Sequence, residues 1–205
     1  MPHAQNLPRG WHSRGYLPHF DGGEIPQSVT FRLADSFPKE CFDAWRGELA
    51  HLPEKEASTE RRKRIEEYLD RGAGKAWLRD SHIARLVQEA LLYFDGERYR
   101  LHAWVVMPNH VHVLLTPCKG RSLSDILHSW KSYTTKKANL ILGRSGDLWQ
   151  EEYFDRSIRN ERHFIAVVEY IESNPVKANL CVKKEDWKFG SAARRHAGGT
   201  PALPG

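Results

Sequence analysis

Cysteine is scarce: Cys41, Cys118 and Cys181 stand far apart in a chain of 205 residues, and none forms a Cys-x-x-Cys pair. Three scattered thiols argue against a disulfide framework and a cysteine zinc site, and they fit a reducing compartment. Acidic residues are the minority. The 26 Asp and Glu against 31 Lys and Arg leave a formal net charge of +5, a surface that attracts polyanions such as nucleic acid or an acidic membrane. Long apolar runs are missing as well. No stretch approaches the ~20 apolar residues of a membrane-spanning helix. Met1 to Phe20, broken by Pro2, Pro8, Gly10, Gly15 and Pro18, lacks the apolar centre of a secretion signal. These absences predict a soluble cytoplasmic protein with no membrane contact.

What is present is enough apolar and aromatic residue for one core. Gln27 to Ala34 alternates Val29, Phe31 and Leu33 with polar neighbours, the period of a half-buried strand. Cys41, Phe42, Trp45 and Leu49 recur at helical spacing after Pro38. Glu54 to Asp70 is dense in charge with a thin stripe of Ile65, Tyr68 and Leu69, which reads as an exposed helix whose Arg61 to Arg64 cluster lies outside the site. A helix capped by Ser81 carries Ile83, Leu86, Val87, Ala90, Leu91 and Phe94 and closes at Asp95-Gly96. Arg98 to Met107 and His110 to Thr116 are β-rich runs joined by Pro108-Asn109, hence an antiparallel hairpin. Ser122 opens a long helix whose stripe includes Trp130, Tyr133, Leu140 and Ile141 and which ends at Gly143. A short strand over Tyr153 to Ile158 and a helix over Glu161 to Ser173, stopped before Asn174-Pro175, follow. This order predicts an α+β fold: a ferredoxin-like antiparallel sheet with helices on one face and a further C-terminal helix. The expected organisation is an N-terminal tail over 1–20, one domain over 21–191 with a charged helical insertion near 54–75, and a mobile basic tail over 192–205.

Two elements carry candidate chemistry. His110 and His112 lie two apart in a strand and therefore project from one face, where both imidazoles can meet one ion; the alternative is that one packs in the core and the other is merely polar. On the last helix Phe164, Val167, Val168 and Ile171 form the apolar stripe. Tyr170 falls roughly 110° from its centre, with Asn174 on the same flank one turn later; the alternative for Tyr170 is an edge aromatic with a wet hydroxyl. A phenol with a reference pKa near ~10 needs an electrophile whose developing charge is stabilised. Two imidazoles and the Asn174 amide oxygen would hold a divalent cation with positions left open for a phosphate oxygen while Tyr170 attacks. This ligand set suits Mg²⁺ or Mn²⁺, with zinc also allowed by residue type.

The stretches AWVVMPNHVHVLL (Ala103 to Leu115), HSWKSYTTKKAN (His128 to Asn139), LWQEEYFDRSIRNERHF (Leu148 to Phe164) and VEYIESNPVKANL (Val168 to Leu180) resemble the single-tyrosine transposases of the His-hydrophobic-His nuclease superfamily. The branch associated with repetitive extragenic palindromes (REP) is the most similar, and RGYLPHFDGG followed by QSVTFRLADS also resembles it, so the likeness runs from Arg14 to Ser191. It implies a ferredoxin-like catalytic domain whose C-terminal helix carries the nucleophile. That domain would cleave and rejoin single-stranded DNA at REP-like hairpins through a 5′-phosphotyrosine link, releasing a 3′-hydroxyl without ATP. By position, His110 and His112 bind Mg²⁺ or Mn²⁺, Tyr170 is the nucleophile and Asn174 the third ligand; some relatives have a glutamine there. Tyr133 and Tyr153 rank below Tyr170. The resemblance favours a monomer over a homodimer that exchanges the tyrosine helix.

Lys131, Lys136 and Lys137 on the long helix, with Arg156 and Arg159 before the tyrosine helix, are the expected DNA-phosphate contacts. Trp130 and Trp149 are candidates for base stacking, with core packing as the more ordinary use. Two other classes stay open on sequence alone. One is a domesticated protein that binds DNA hairpins without cutting them, and the other is an unrelated His-x-His metal hydrolase.

Overall fold

The computed structural model describes residues 10–13 and 18–198. A short hairpin, β1 (Gly10–Ser13) and β2 (Pro18–Asp21), comes first, where the sequence suggested only a tail. The remainder of that expected tail, and the end of the C-terminal one from 199 onward, lie outside the described residues.

The centre is a four-stranded antiparallel sheet of β3 (Gln27–Leu33), β4 (Tyr99–Val106), β5 (His110–Pro117) and β6 (Trp149–Ser157), in the order β4-β5-β3-β6. Helices α1 (Lys39–Glu48), α2 (Glu54–Asp70) and α3 (Ser81–Leu92) connect β3 to β4, α4 (Leu123–Leu142) connects β5 to β6, and α5 (Glu161–Lys177) follows β6. This order and pairing are the ferredoxin-like α+β plan expected from the sequence.

Period-two alternation sorts the sheet into two faces. Val29, Phe31 and Leu33 of β3, with Val111, Val113 and Leu115 of β5, form one core with Val87 and Leu91 of α3 and with Leu127 and Trp130 of α4. On the other face Ala103, Val105, Met107 and Leu114 meet Ile171 of α5. Between Leu101 and Ala103 the β4 register shifts, a bulge that turns Ala103 and Val105 toward α5. A third cluster, Phe37, Phe42, Ile65 and Leu69, ties α1 to α2. Burial of Ile65 and Leu69 makes α2 a packed element, although its salt bridges, such as Arg64 to Glu60, still face solvent.

Several boundaries differ from the sequence reading. Asp80 rather than Ser81 caps α3, its carboxylate accepting from the His82 N–H. Ser122 caps α4 and Gly143, at φ 61°, ends it. At the end of α4 the core contacts are made by Ala138 and Leu142, which leaves Leu140 78% exposed and Ile141 54% exposed instead of packed. Strand β6 begins four residues before the expected Tyr153, at Trp149. Helix α5 continues through Asn174-Pro175 to Lys177; a proline this near the C-terminus removes one intrahelical bond and no more. The C-terminal stretch expected to be mobile from Ala192 starts as a helix, α6 (Ser191–His196). Ser191 donates to Glu172 at 2.6 Å, and Arg195 pairs with the same carboxylate.

Candidate active site

The parity of β5 that sends Val111 and Val113 into the core sends His110 and His112 to the α5 face. Across the ladder His112 pairs with Thr30 and His110 with Arg32. Both imidazoles are essentially inaccessible, and their Nε2 atoms stand 2.9 Å apart. Asn109 sets the proton on His110. Its amide nitrogen donates to the carbonyls of Leu69, at 3.1 Å, and Ala73, at 2.9 Å, so its oxygen must face the ring. That oxygen lies 2.7 Å from His110 Nδ1, which therefore carries the hydrogen and leaves Nε2 with a lone pair. His112 Nδ1 is 2.8 Å from the Thr30 hydroxyl, a partner that serves as donor or acceptor. Burial, His112 and Arg32 hold the His110 pKa well below its ordinary value. Burial and then Lys177 push that of His112 down to about 3. Both rings are neutral at physiological pH, the state in which imidazole binds metal.

Helix α5 lies across these rings. The Tyr170 ring centroid is 5.5 Å from that of His112, edge to face, and Lys177 Nζ sits 4.7 Å from the phenol centroid. Asn174, one turn on, is buried with Nδ2 3.4 Å from His112 Nε2, while its Oδ1 has no hydrogen-bond partner. The continuation of the helix through Pro175 is what keeps Asn174 on the Tyr170 flank.

The last two turns of α2 add carboxylates that the sequence reading left outside the site. Glu66 stands beside the Tyr170 hydroxyl. Burial, then the charges of Glu66 and Asp70, raise the phenol pKa far above its usual range. Asp70 Oδ1 stands 3.9 Å from His110 Nε2, buried and without a hydrogen-bond partner. Burial and the neighbouring Glu66 push the Asp70 carboxyl up to about 6. The available sign was faint: Ile65 and Leu69 show that α2 packs on the domain, and Glu66 and Asp70 adjoin that stripe.

The candidate cations divide between the faces. Thr30 pairs with Phe154 and Ser28 with Arg156, so Arg156 shares the histidine face, where Arg62, Arg159 and Glu66 act on its charge. Lys131, Lys136 and Lys137 belong to α4, across the sheet. Lys131 donates to the carbonyls of Gln150 and Glu151, both at 2.8 Å, and burial lowers its pKa to about 8. Tyr133 is on α4 as well, and Tyr153 is buried toward the α4 face. Trp130 and Trp149 are core residues, donating to Tyr99 Oη and Thr134 Oγ1.

Among the described residues no ready cluster of three His, Cys, Asp or Glu ligands is assembled. What is assembled is a histidine pair with facing Nε2 nitrogens and two orphaned acceptor oxygens, on Asn174 and Asp70. Two ligands bound at ~2.1 Å to one ion stand roughly 3–4 Å apart. The 2.9 Å and 3.9 Å separations fit a divalent cation.

The fold and this side-chain set define a ferredoxin-like α+β protein that gathers two neutral histidines, a tyrosine and acceptor oxygens on one sheet face. The family model described as "Transposase IS200 like" matches residues 75–174, just under half of the chain and the segment holding His110, His112, Tyr170 and Asn174. That family is one of DNA-cleaving enzymes. The chain is 28% identical over 116 residues to the REP-associated tyrosine transposase of Escherichia coli (strain K12), across 56% of this chain and 68% of that protein. It is 26% identical to an uncharacterized protein of Haemophilus influenzae (strain ATCC 51907 / DSM 11121 / KW20 / Rd), across 38% of this chain and 54% of the other. The solved structure of a REP-associated tyrosine transposase bound to a REP hairpin has a similar fold. Its TM-score is 0.54 at 19% identity, over 95% of this chain and 90% of that one. No helix among the described residues is long and apolar enough to cross a membrane.

Proposed function

We propose that this protein is a REP-type transposase that cleaves and rejoins single-stranded DNA at hairpins, with Tyr170 as nucleophile and His110, His112 and Asn174 holding Mg²⁺ or Mn²⁺. The observation that carries the reading is the packing of Tyr170 on His112, on the face where both histidines present their Nε2 atoms. The E. coli relative, called a REP-associated tyrosine transposase, and the hairpin-bound structural neighbour support the choice of substrate.

A bound divalent cation would draw charge from a phosphate oxygen and stabilise the transition state. The chain's own residues do the remainder. Tyr170 Oη forms the new bond to phosphorus while the bond to the 3′ oxygen breaks, so the downstream strand stays on the protein by its 5′ phosphate. Glu66, beside the phenol, would accept its proton, and the departing 3′ oxygen takes up a proton from solvent to leave as a hydroxyl. Arg156 and Arg159 hold flanking phosphates. His110 is fixed by Asn109, and Thr30 accepts from His112 Nδ1–H once His112 Nε2 serves as a ligand. The packing of Tyr170 on His112 of its own chain supports a monomer acting with its own tyrosine.

The test is an adduct assay with a 3′-labelled single-stranded hairpin and Mn²⁺. Wild type should yield a denaturant-resistant protein–DNA species, Tyr170→Phe should yield none, and Tyr133→Phe and Tyr153→Phe should match wild type. An undiminished adduct with Tyr170→Phe would falsify the assignment. Tight hairpin binding with no adduct in either metal would favour a non-cleaving binder.

A further inference from the structure

We propose that Asp70 supplies a carboxylate ligand to the divalent cation, so that α2 completes the metal site from outside the family-matched segment. The inference rests on the reading of His110 and His112 as metal ligands. The match begins at Lys75, five residues past Asp70, so the family pattern does not supply this group.

His110 Nδ1–H is committed to Asn109, so His110 Nε2 has no hydrogen to offer the Asp70 oxygen 3.9 Å away. The two atoms face each other as acceptors, and a cation reconciles them. A second observation is independent of the histidines: Asp70 Oδ1 is buried and finds no hydrogen-bond partner, a state that costs free energy unless something occupies it. The position is also held firmly by the chain. The Asn109 amide grips the carbonyls of Leu69 and Ala73, one residue before Asp70 and three after, and thereby binds the end of α2 to the residue beside His110.

The chemistry follows from the donor types. Two neutral imidazoles and an amide bring no charge to a hard cation, whereas a carboxylate brings a full one and suits Mg²⁺ and Mn²⁺. Glu66, one helical turn earlier, adds to the negative field at Asp70. The rival occupant of the gap is a proton on Asp70, which would donate to His110 Nε2 and make the contact purely structural.

The full-length protein is titrated with Mn²⁺ and the free ion read by electron paramagnetic resonance, with circular dichroism as a folding check. Asp70→Asn should weaken Mn²⁺ binding at least tenfold, while Glu56→Gln, which removes a charge from the exposed start of the same helix, should leave it within twofold. Asp70→Cys should lose Mn²⁺ affinity and gain Cd²⁺ affinity over wild type, because thiolate prefers the softer ion; a merely structural Asp70 gives no such exchange, and this variant serves if the Asn protein does not fold. Wild-type affinity in Asp70→Asn, or no gain of Cd²⁺ in a folded Asp70→Cys, overturns the proposal with the histidine reading intact. Binding that survives His110→Ala/His112→Ala, or no binding by wild type, overturns both.

Discussion

Asn109 is the residue whose replacement should reveal most about how the site is held. Its side chain has no accessible surface and makes three contacts: donation to Leu69 O and Ala73 O, and acceptance from His110 Nδ1. In Asn109→Ala, Leu69 O keeps a partner, the Gly72 N–H at 2.8 Å. The Ala73 carbonyl and the His110 ring N–H lose their Asn109 partner. At ~1–3 kcal/mol for each of these two groups left unsatisfied, the loss is about 2–6 kcal/mol. In a domain of this size, at ~2–4 °C per kcal/mol, that lowers the melting temperature by roughly 4–24 °C. Asn109→Asp should be no better, because a carboxylate still accepts from His110 but faces two carbonyls with no hydrogen to give. The assay is thermal unfolding by circular dichroism, with Mn²⁺ titration of each folded variant. Melting within ~2 °C of wild type, together with unchanged Mn²⁺ affinity, would show that neither the α2 anchor nor the His110 tautomer depends on this amide.

Two further outcomes follow from the electrostatics. The slope of log affinity against log salt for a single-stranded hairpin should fall by about 1.4 in Arg156→Gln/Arg159→Gln, at ~0.7 per lost phosphate contact. Lys136→Gln/Lys137→Gln, altered across the sheet from the histidines, should leave it unchanged, and the reverse pattern would move the DNA path to α4. His102, bonded to Thr116 at 2.8 Å, has its pKa lowered to about 4, by burial first and then by Arg100. A depressed histidine pKa gives stability that is present above the unfolded value near ~6.5 and lost as pH falls toward 4. Unfolding free energies measured from pH 7 to 4 should therefore decline less in His102→Gln than in wild type, by about 2–3 kcal/mol over that range. Parallel profiles would refute this.

The strands and the histidine pair were legible because a period of two is local. Once Val111 and Val113 are core, His110 and His112 must share the opposite face, and β5 behaves so. Tyr170 and Asn174 were legible as i and i+4 on one flank, but the helix carrying them was ended too soon. The bias of a pre-proline residue against helix loses here to Asn174 burial and to its carbonyl accepting from Ala178 N–H at 3.0 Å. The α4 stripe failed in the opposite sense. Leu140 falls more than ~100° off the stripe of Leu127, Trp130, Thr134 and Ala138, and the core contact at this end is made by Leu142. Glu66 and Asp70 were invisible for a different reason: a charge-dense helix reads as solvated, and no local pattern says that its last turns meet a strand about 40 residues later.

The Pro108-Asn109 link shows how a turn assignment can be correct and incomplete. Turn propensity accounts for a reversal between β4 and β5, and it would accept Asn, Asp or Gly. It does not account for complete burial or for the direction of three hydrogen bonds. Those demand one side chain with two donor hydrogens on one end and an acceptor on the other, at the reach of a single methylene: aspartate lacks the donors, glycine lacks everything, and glutamine is one carbon too long. The loop it grips imposes its own condition. Gly74, at φ +84°, runs so close to the residues after β3 that an added Cβ would lie 2.7 Å from the Asp35 carbonyl. Glycine there lets the chain after α2 pass near the sheet, bringing Ala73 O within reach of Asn109 and Asp70 beside His110. The chemistry of the histidine is thus conditioned by a loop outside the strand that bears it, which is why substitutions at Gly74 and Asn109 should disturb metal binding and stability together.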